Sequence, residues 1–184
     1  DPESGAVFVN KRNAIHYENM SIALAESVAN QGQGFINSMA FGNGGTSVDP
    51  TGIITYLTPN STGTNASLYN QTYSKVVDDR SVTNLDPQRN KIETRHVNGT
   101  NYTDVLVTCL LDYGEPNGQD AVDQASQANS LYVFDELGLV SYSPSGTGKL
   151  LTHVVFHPVQ KSLNRLVQID YTVRVQSLTG FNEG

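Results

Sequence analysis

Leu163-Asn164-Arg165-Leu166-Val167-Gln168-Ile169-Asp170-Tyr171-Thr172-Val173-Arg174-Val175-Gln176 alternates almost without error. Leu163, Arg165, Val167, Ile169, Tyr171, Val173 and Val175 fall on one side; Asn164, Gln168, Asp170, Thr172, Arg174 and Gln176 fall mostly on the other. Arg165 and Leu166 are the only breaks. A side-chain period of two belongs to a strand with one face buried and one wet, so the chain closes on a long amphipathic antiparallel strand. A lone strand cannot bury that face, and partners stand just upstream. Tyr102 to Tyr113 places Val105, Val107, Cys109 and Leu111 on one face and Leu106 and Leu110 on the other, which predicts a central strand covered on both sides.

Further strands are predicted at Phe35–Phe41, Ile53–Leu57, Lys91–His96, Leu131–Asp135 and Lys149–His157. Turn chemistry separates them: Gly42-Asn43-Gly44-Gly45, where glycines tolerate positive φ, then Asp49-Pro50-Thr51-Gly52 and Asn98-Gly99. From Asn13 to Asn30 there is no Gly or Pro, and Ile22, Ala25, Val28 and Ala29 recur at helical spacing. That segment predicts one amphipathic helix ended by Gly32 and Gly34. The fold class expected is mainly β: an antiparallel β-sandwich with one N-terminal α-helix and long polar loops. Residues 1–12 read as an N-terminal arm, 13–176 as one sandwich domain and 177–184 as a C-terminal tail. Residues 58–90, with little periodicity apart from Tyr73–Val77, and Gly114–Ser130 read as polar excursions, the places where a protein that works by contact would make it.

Composition narrows the function classes. Apolar residues at 38% and charged residues at 16% leave a chain too apolar and too weakly charged for disorder. A formal charge of −7 repels a phosphate backbone, so no nucleic acid partner is expected. No stretch approaches the about 20 apolar residues of a membrane span or has a signal-peptide pattern, so no membrane partner is expected either. Opening on Asp1, the sequence leaves room for a segment upstream. Cys109, the single cysteine, excludes an internal disulfide and reads as a small core residue.

The sites that suggest chemistry read better as structure. His153 and His157 lie four apart and could be joined on paper with His96, but the spacing matches no compact zinc signature, so no metal is expected. The acid pairs Asp78-Asp79 and Asp135-Glu136 hold neighbours that a regular strand would send to opposite faces, which separates them as an acid and base couple. The Gly42–Gly45 run lacks the lysine of a phosphate loop, no nucleophile elbow occurs, and six Asn-x-Ser/Thr tripeptides follow from an Asn-, Ser- and Thr-rich composition. No catalytic residue and no cofactor are expected. Interface residues are expected instead at Phe8, Asn43, Tyr69, Tyr73, Asp120 and Tyr142.

Read in order, the elements follow a recurring plan. A helix leads into Phe35-Ile36-Asn37-Ser38-Met39-Ala40-Phe41-Gly42-Asn43-Gly44-Gly45-Thr46, and a polar insertion carries Leu68-Tyr69-Asn70-Gln71-Thr72-Tyr73. After a long strand come Phe134-Asp135-Glu136-Leu137-Gly138-Leu139 and the run from Lys149 through His157 to Pro158-Val159-Gln160-Lys161. Over most of residues 20–176 this resembles the tail-collar fibre family and related small virion proteins of tailed bacteriophages. Such proteins show a helix, an apolar strand ending in a Gly-rich turn, an acid-Leu-Gly-Leu motif and a strand reaching Pro-x-x-Lys before the last strand.

The resemblance implies a virion structural protein, assembled in the bacterial host's cytoplasm. Its partners would be tail, neck or baseplate subunits and fibres, or capsid, and it would form a homo-oligomer. The segment 46–90 is longer than such modules carry and no shaft or tip follows, so a collar, neck or baseplate adaptor is expected rather than a complete fibre. Capsid decoration and a host-glycan-binding module are the competitors; nine tyrosines favour the latter and the absence of Trp counts against it. The two family-like motifs have a structural sense: Gly138 permits a bend or bulge between core leucines, and Pro158–Lys161 ends a strand.

Overall fold

The computed structural model describes residues 1–116 and 131–177. In chain order the elements are β1 (Ala14–Ile15), α1 (Tyr17–Val28), β2 (Ile36–Gly42), β3 (Thr46–Val48), β4 (Ile54–Tyr56), β5 (Gln71–Val76), β6 (Lys91–His96), β7 (Tyr102–Leu111), β8 (Leu131–Ser141), β9 (Thr152–Ser162) and β10 (Val167–Gln176). Strands dominate and α1 is the only α-helix among the described residues. A five-stranded antiparallel sheet, ordered β1-β9-β8-β2-β5, packs on a three-stranded one, β10-β7-β6, while β3 and β4 form a separate hairpin.

The two sheets share one core. Met39 and Phe41 of β2, Phe134, Leu137 and Leu139 of β8, and Val154 and Phe156 of β9 meet Val107, Cys109 and Leu111 of β7 and Val167, Tyr171 and Val173 of β10. Each large apolar side chain removed from water there contributes about 1.5–3 kcal/mol. The closing strand behaves as its pattern requires: β10 pairs with β7 from Val167↔Leu111 to Gln176↔Tyr102 without a slip. Its start differs, because Leu163–Arg165 turn back from β9 and the strand begins at Val167. β7 is the middle strand of its sheet, with Leu110 buried on the face away from the shared core.

The Asp49–Gly52 turn forms as read, with the Gly52 N–H donating to Asp49 O at 2.9 Å and Gly52 at φ 87°. Asp49 also accepts from the N–H groups of Thr51 and Ile53.

The expectations for the helix and for Pro158 are corrected. The helix spans Tyr17–Val28, because Ala14–Ile15 pair with β9 and His16 caps the helix by accepting the Asn19 N–H on Nδ1 at 3.1 Å. Its buried contacts are His16, Asn19 and Ala23, with Met20 partly buried, whereas Ala25, Val28 and Ala29 are exposed; α1 docks through its first turns and its far end overhangs. Asn30, at φ 53°, supplies the left-handed residue after the helix, ahead of Gly32 and Gly34. Pro158 does not end a strand: β9 runs on to Ser162, and the ladder with β8 shifts register between Phe134↔Val159 and Glu136↔Val155, so the strand passes the proline as an irregularity.

Residues 58–90 are not a free excursion. They contain β5, bury Leu68 and Val77, and lay Ala66 and Leu68 against Ala40, Leu150 and Val140 on the outer face of the five-stranded sheet. Asn84 and Asn90 tie the remainder down: Asn84 Nδ2 donates to Asp78 O and Asn90 O, and Asn90 Oδ1 accepts the Leu110 N–H at 2.8 Å. Of the second excursion, Gly114–Ser130, residues 117–130 lie outside the described residues.

Candidate functional site

The sheet's outer face, beneath residues 58–70, holds a group of buried polar side chains that includes Asp135, Glu136 and His153. It begins with the register shift in β8. Phe134 and Leu137 both enter the inter-sheet core although three positions separate them, so Asp135 and Glu136 between them both face away from it. The expectation that the two acids diverge therefore fails, and both reach the turn after β2. Asp135 accepts from the Gly45 N–H at 2.8 Å and from the Thr46 N–H at 2.9 Å.

Glu136 is the hub. Oε1 accepts from the N–H of Asn70 at 2.8 Å and of Gly44 at 3.1 Å, while Oε2 accepts from the Tyr69 N–H at 3.0 Å and from His153 Nε2 at 2.8 Å. The other ring nitrogen, His153 Nδ1, accepts from the Asn60 N–H at 2.8 Å, which fixes the tautomer with the proton on Nε2. Both side chains have no exposed surface. Burial pushes the Glu136 carboxyl up, but the bond from His153 and the three backbone N–H groups outweigh it and hold the group below its ordinary value of 4.5. The ring of Tyr69 lies 5.7 Å from that of His153, and its hydroxyl donates to Thr58 O, closing the centre from above.

The glycines of the turn serve this approach rather than positive φ, which Gly42, Gly44 and Gly45 do not adopt. A Cβ at Gly42 would stand 2.5 Å from both Asn70 O and Glu136 Oε1, and one at Gly44 2.8 Å from Asn70 N. Gly138, read as a bend, is needed because a Cβ there would lie 2.2 Å from Thr152 O. A carboxylate offers about four acceptor sites, and here four donors fill them. The arrangement can pin residues 42–45, 60 and 69–70 to β8 and β9. It presents no lone pair to a substrate.

The expected interface residues do not converge. Asn43 and Tyr69 come together, since Asn70 Nδ2 donates to Asn43 Oδ1 at 2.6 Å beside the half-exposed Tyr69. Tyr73 is turned inward, its ring 5.9 Å from Phe41, and burial pushes its phenol up to about 12. Phe8 lies in the arm with the Arg165 guanidinium 4.3 Å from its ring centre. Tyr142 stacks on Phe35 at 5.0 Å, and its N–H donates to Phe35 O at 2.7 Å, one residue before β2 begins at Ile36. Asp120 lies outside the described residues.

His96, on β6, bonds Tyr102 O and Thr103 Oγ1, and His157 lies near Tyr56. Among the described residues no three His, Cys, Asp or Glu side chains are grouped as a metal ion requires, and no helix is long and apolar enough to cross a membrane. Asp78 and Asp79 accept backbone N–H groups of Arg80 and Ile92. Cys109 is fully buried, which pushes its thiol up to about 12.

Two polar anchors were missed in the sequence. The Glu136–His153 contact is one. The other is Lys161, fully buried, whose ammonium donates to Asp112 O, Glu115 O and Ser162 O at 2.9, 2.7 and 2.8 Å, tying β9 to the turn after β7. The signal for the first was a titratable residue inside an apolar strand run, Leu150-Leu151-Thr152-His153-Val154-Val155-Phe156, whereas Lys161, flanked by Gln160 and Ser162, carries no such signal. No protein-family model matches the chain, and no curated protein matches it in sequence.

Proposed function

We propose that this chain is a structural subunit of a tailed-bacteriophage particle, seated in the tail at the collar, neck or baseplate, where it anchors fibres through non-covalent contacts with other virion proteins. The observation that carries the reading is the sealed Glu136–His153 centre: the groups best suited to chemistry have no exposed surface and are spent on fixing loops. The Gly-rich turn and the acid-Leu-Gly-Leu run that carry the likeness to tail-collar proteins are the two pieces this centre joins. Apolar side chains exposed on the arm, helix and loops, such as Val7, Val28 and Leu85, supply contact surface.

A cryo-EM reconstruction of intact particles tests the assignment. Density for this sandwich at the neck, collar or baseplate is the expected result, and density on the shell would move the protein to capsid decoration. Absence from purified particles, or selective binding of host glycans by the isolated chain, would overturn it.

A further inference from the structure

β10 is an edge strand. It pairs with β7 along one side, and among the described residues its other side bonds to no backbone. An edge of ten residues without proline, bulge or inward-pointing lysine, its charges limited to one Asp and one Arg, can pair with another chain. We propose that this edge is a docking surface for the same edge of a second copy, two β10 strands pairing antiparallel about Thr172 to join two three-stranded sheets into one of six. The inference deepens the structural reading by naming the self-contact of the subunit, and it rests on that reading only for its purpose.

The sequence of β10 is self-complementary about Thr172. An antiparallel pair centred there sets Asp170 against Arg174 of the second copy, Gln168 against Gln176, and Ile169 against Val175, each twice. Gln168, Asp170, Thr172, Arg174 and Gln176 are all exposed, and Val175 keeps 40% of its surface in the single chain, which Ile169 of the other copy would cover.

The charges continue across the sheets. In each copy Arg95, Asp104 and Arg174 lie in one row by register, with Arg174 Nε and Nη2 bonded to the Asp104 carboxylate at 2.8 and 3.1 Å. The row therefore carries plus, minus, plus, and ends at the edge strand on Arg174, whose guanidinium also stacks on the Tyr102 ring at 3.8 Å and makes no hydrogen bond through Nη1 among the described residues. A second row holds Lys91, Thr108 and Asp170, and ends at the same edge on an anion whose bond is from Gln168 Nε2. Pairing about Thr172 puts the cationic end of one row against the anionic end of the other, twice, and no like charges meet. Residues of the arm line an opening of about 440 Å³ between the sheets beside the Val167–Tyr171 half of β10, and none of them pairs with that strand.

Sedimentation of the isolated chain is expected to give a dimer, and removing residues 1–12 is expected to leave it intact or strengthen it. Asp170→Arg, which sets arginine against Arg174, is expected to weaken association about tenfold or more. The register is tested by cysteine. Directly opposed residues are close enough for a disulfide, so T172C chains are expected to cross-link to one another on oxidation. Q168C chains alone are not, but a mixture of Q168C and Q176C chains is. Cys109 is buried and stays silent.

A monomer at every concentration, or Q168C cross-linking as readily as T172C, would overturn the pairing while leaving the place in the particle to be decided by the reconstruction. A dimer with this register in a protein absent from particles would sink only the particle assignment.

Discussion

Replacing Glu136 by Gln removes a charge without changing volume, and the structure sets its cost. The carboxylate serves four donors: the N–H groups of Gly44, Asn70 and Tyr69, and His153 Nε2–H. An amide keeps one acceptor oxygen, so it can satisfy Gly44 and Asn70 or else Tyr69 and His153. In either orientation its NH2 group faces two donors in a site without water access. His153 cannot relieve the conflict by moving its proton to Nδ1, because that atom receives the Asn60 N–H. Two buried donors left without acceptors cost about 1–3 kcal/mol each, so E136Q is expected to lose about 2–6 kcal/mol, a large part of a domain's net stability.

Urea unfolding followed by far-UV circular dichroism and tyrosine fluorescence, the chain having no Trp, measures the loss. Acid adds an independent check with a definite sign. The folded carboxyl lies below its ordinary value of 4.5, so its contribution is complete above that pH and fades as pH falls through the lower folded value. The gap between the wild type and E136Q is therefore expected to narrow in acid. A loss under about 1 kcal/mol at neutral pH, or a gap that widens on acidification, would refute the hub role.

Gly138→Ala is expected to prevent soluble folding or to lower the melting temperature sharply, because the new methyl would sit 2.2 Å from Thr152 O in the neighbouring strand; a thermal melt decides. Val107→Asp should place an unpaired charge in the core between the sheets and cost several kcal/mol, and a soluble variant with a normal melt would contradict the placement of β7. Cys109, its thiol pushed up to about 12 by burial, should ignore a thiol reagent at pH 8 in the native state and react on unfolding; rapid native labelling would show that β7 opens.

β10, β7 and the Asp49–Gly52 turn were legible in the sequence because each rests on a rule that acts within a few residues: alternation along one strand, or a side chain meeting its own backbone two positions on. The helix was located but its face was misread. α1 docks through His16 and Asn19, and an apolar period cannot report polar anchoring. Pro158 suggests a stop because a proline cannot donate to a ladder, but the slip in register around it removes that demand.

By itself the sequence determined that this protein is a β-sheet scaffold with one helix, since side-chain periodicity and turn chemistry are local and survive without knowledge of the partner strands. The tertiary structure alone decided which polar groups matter. A register shift turns Asp135 and Glu136 to the same side, and the centre they build joins His153 to Asn60, 93 residues away along the chain. Parity along a strand holds only until the ladder slips, and an acceptor buried far from its donors leaves no trace in the spacing of either.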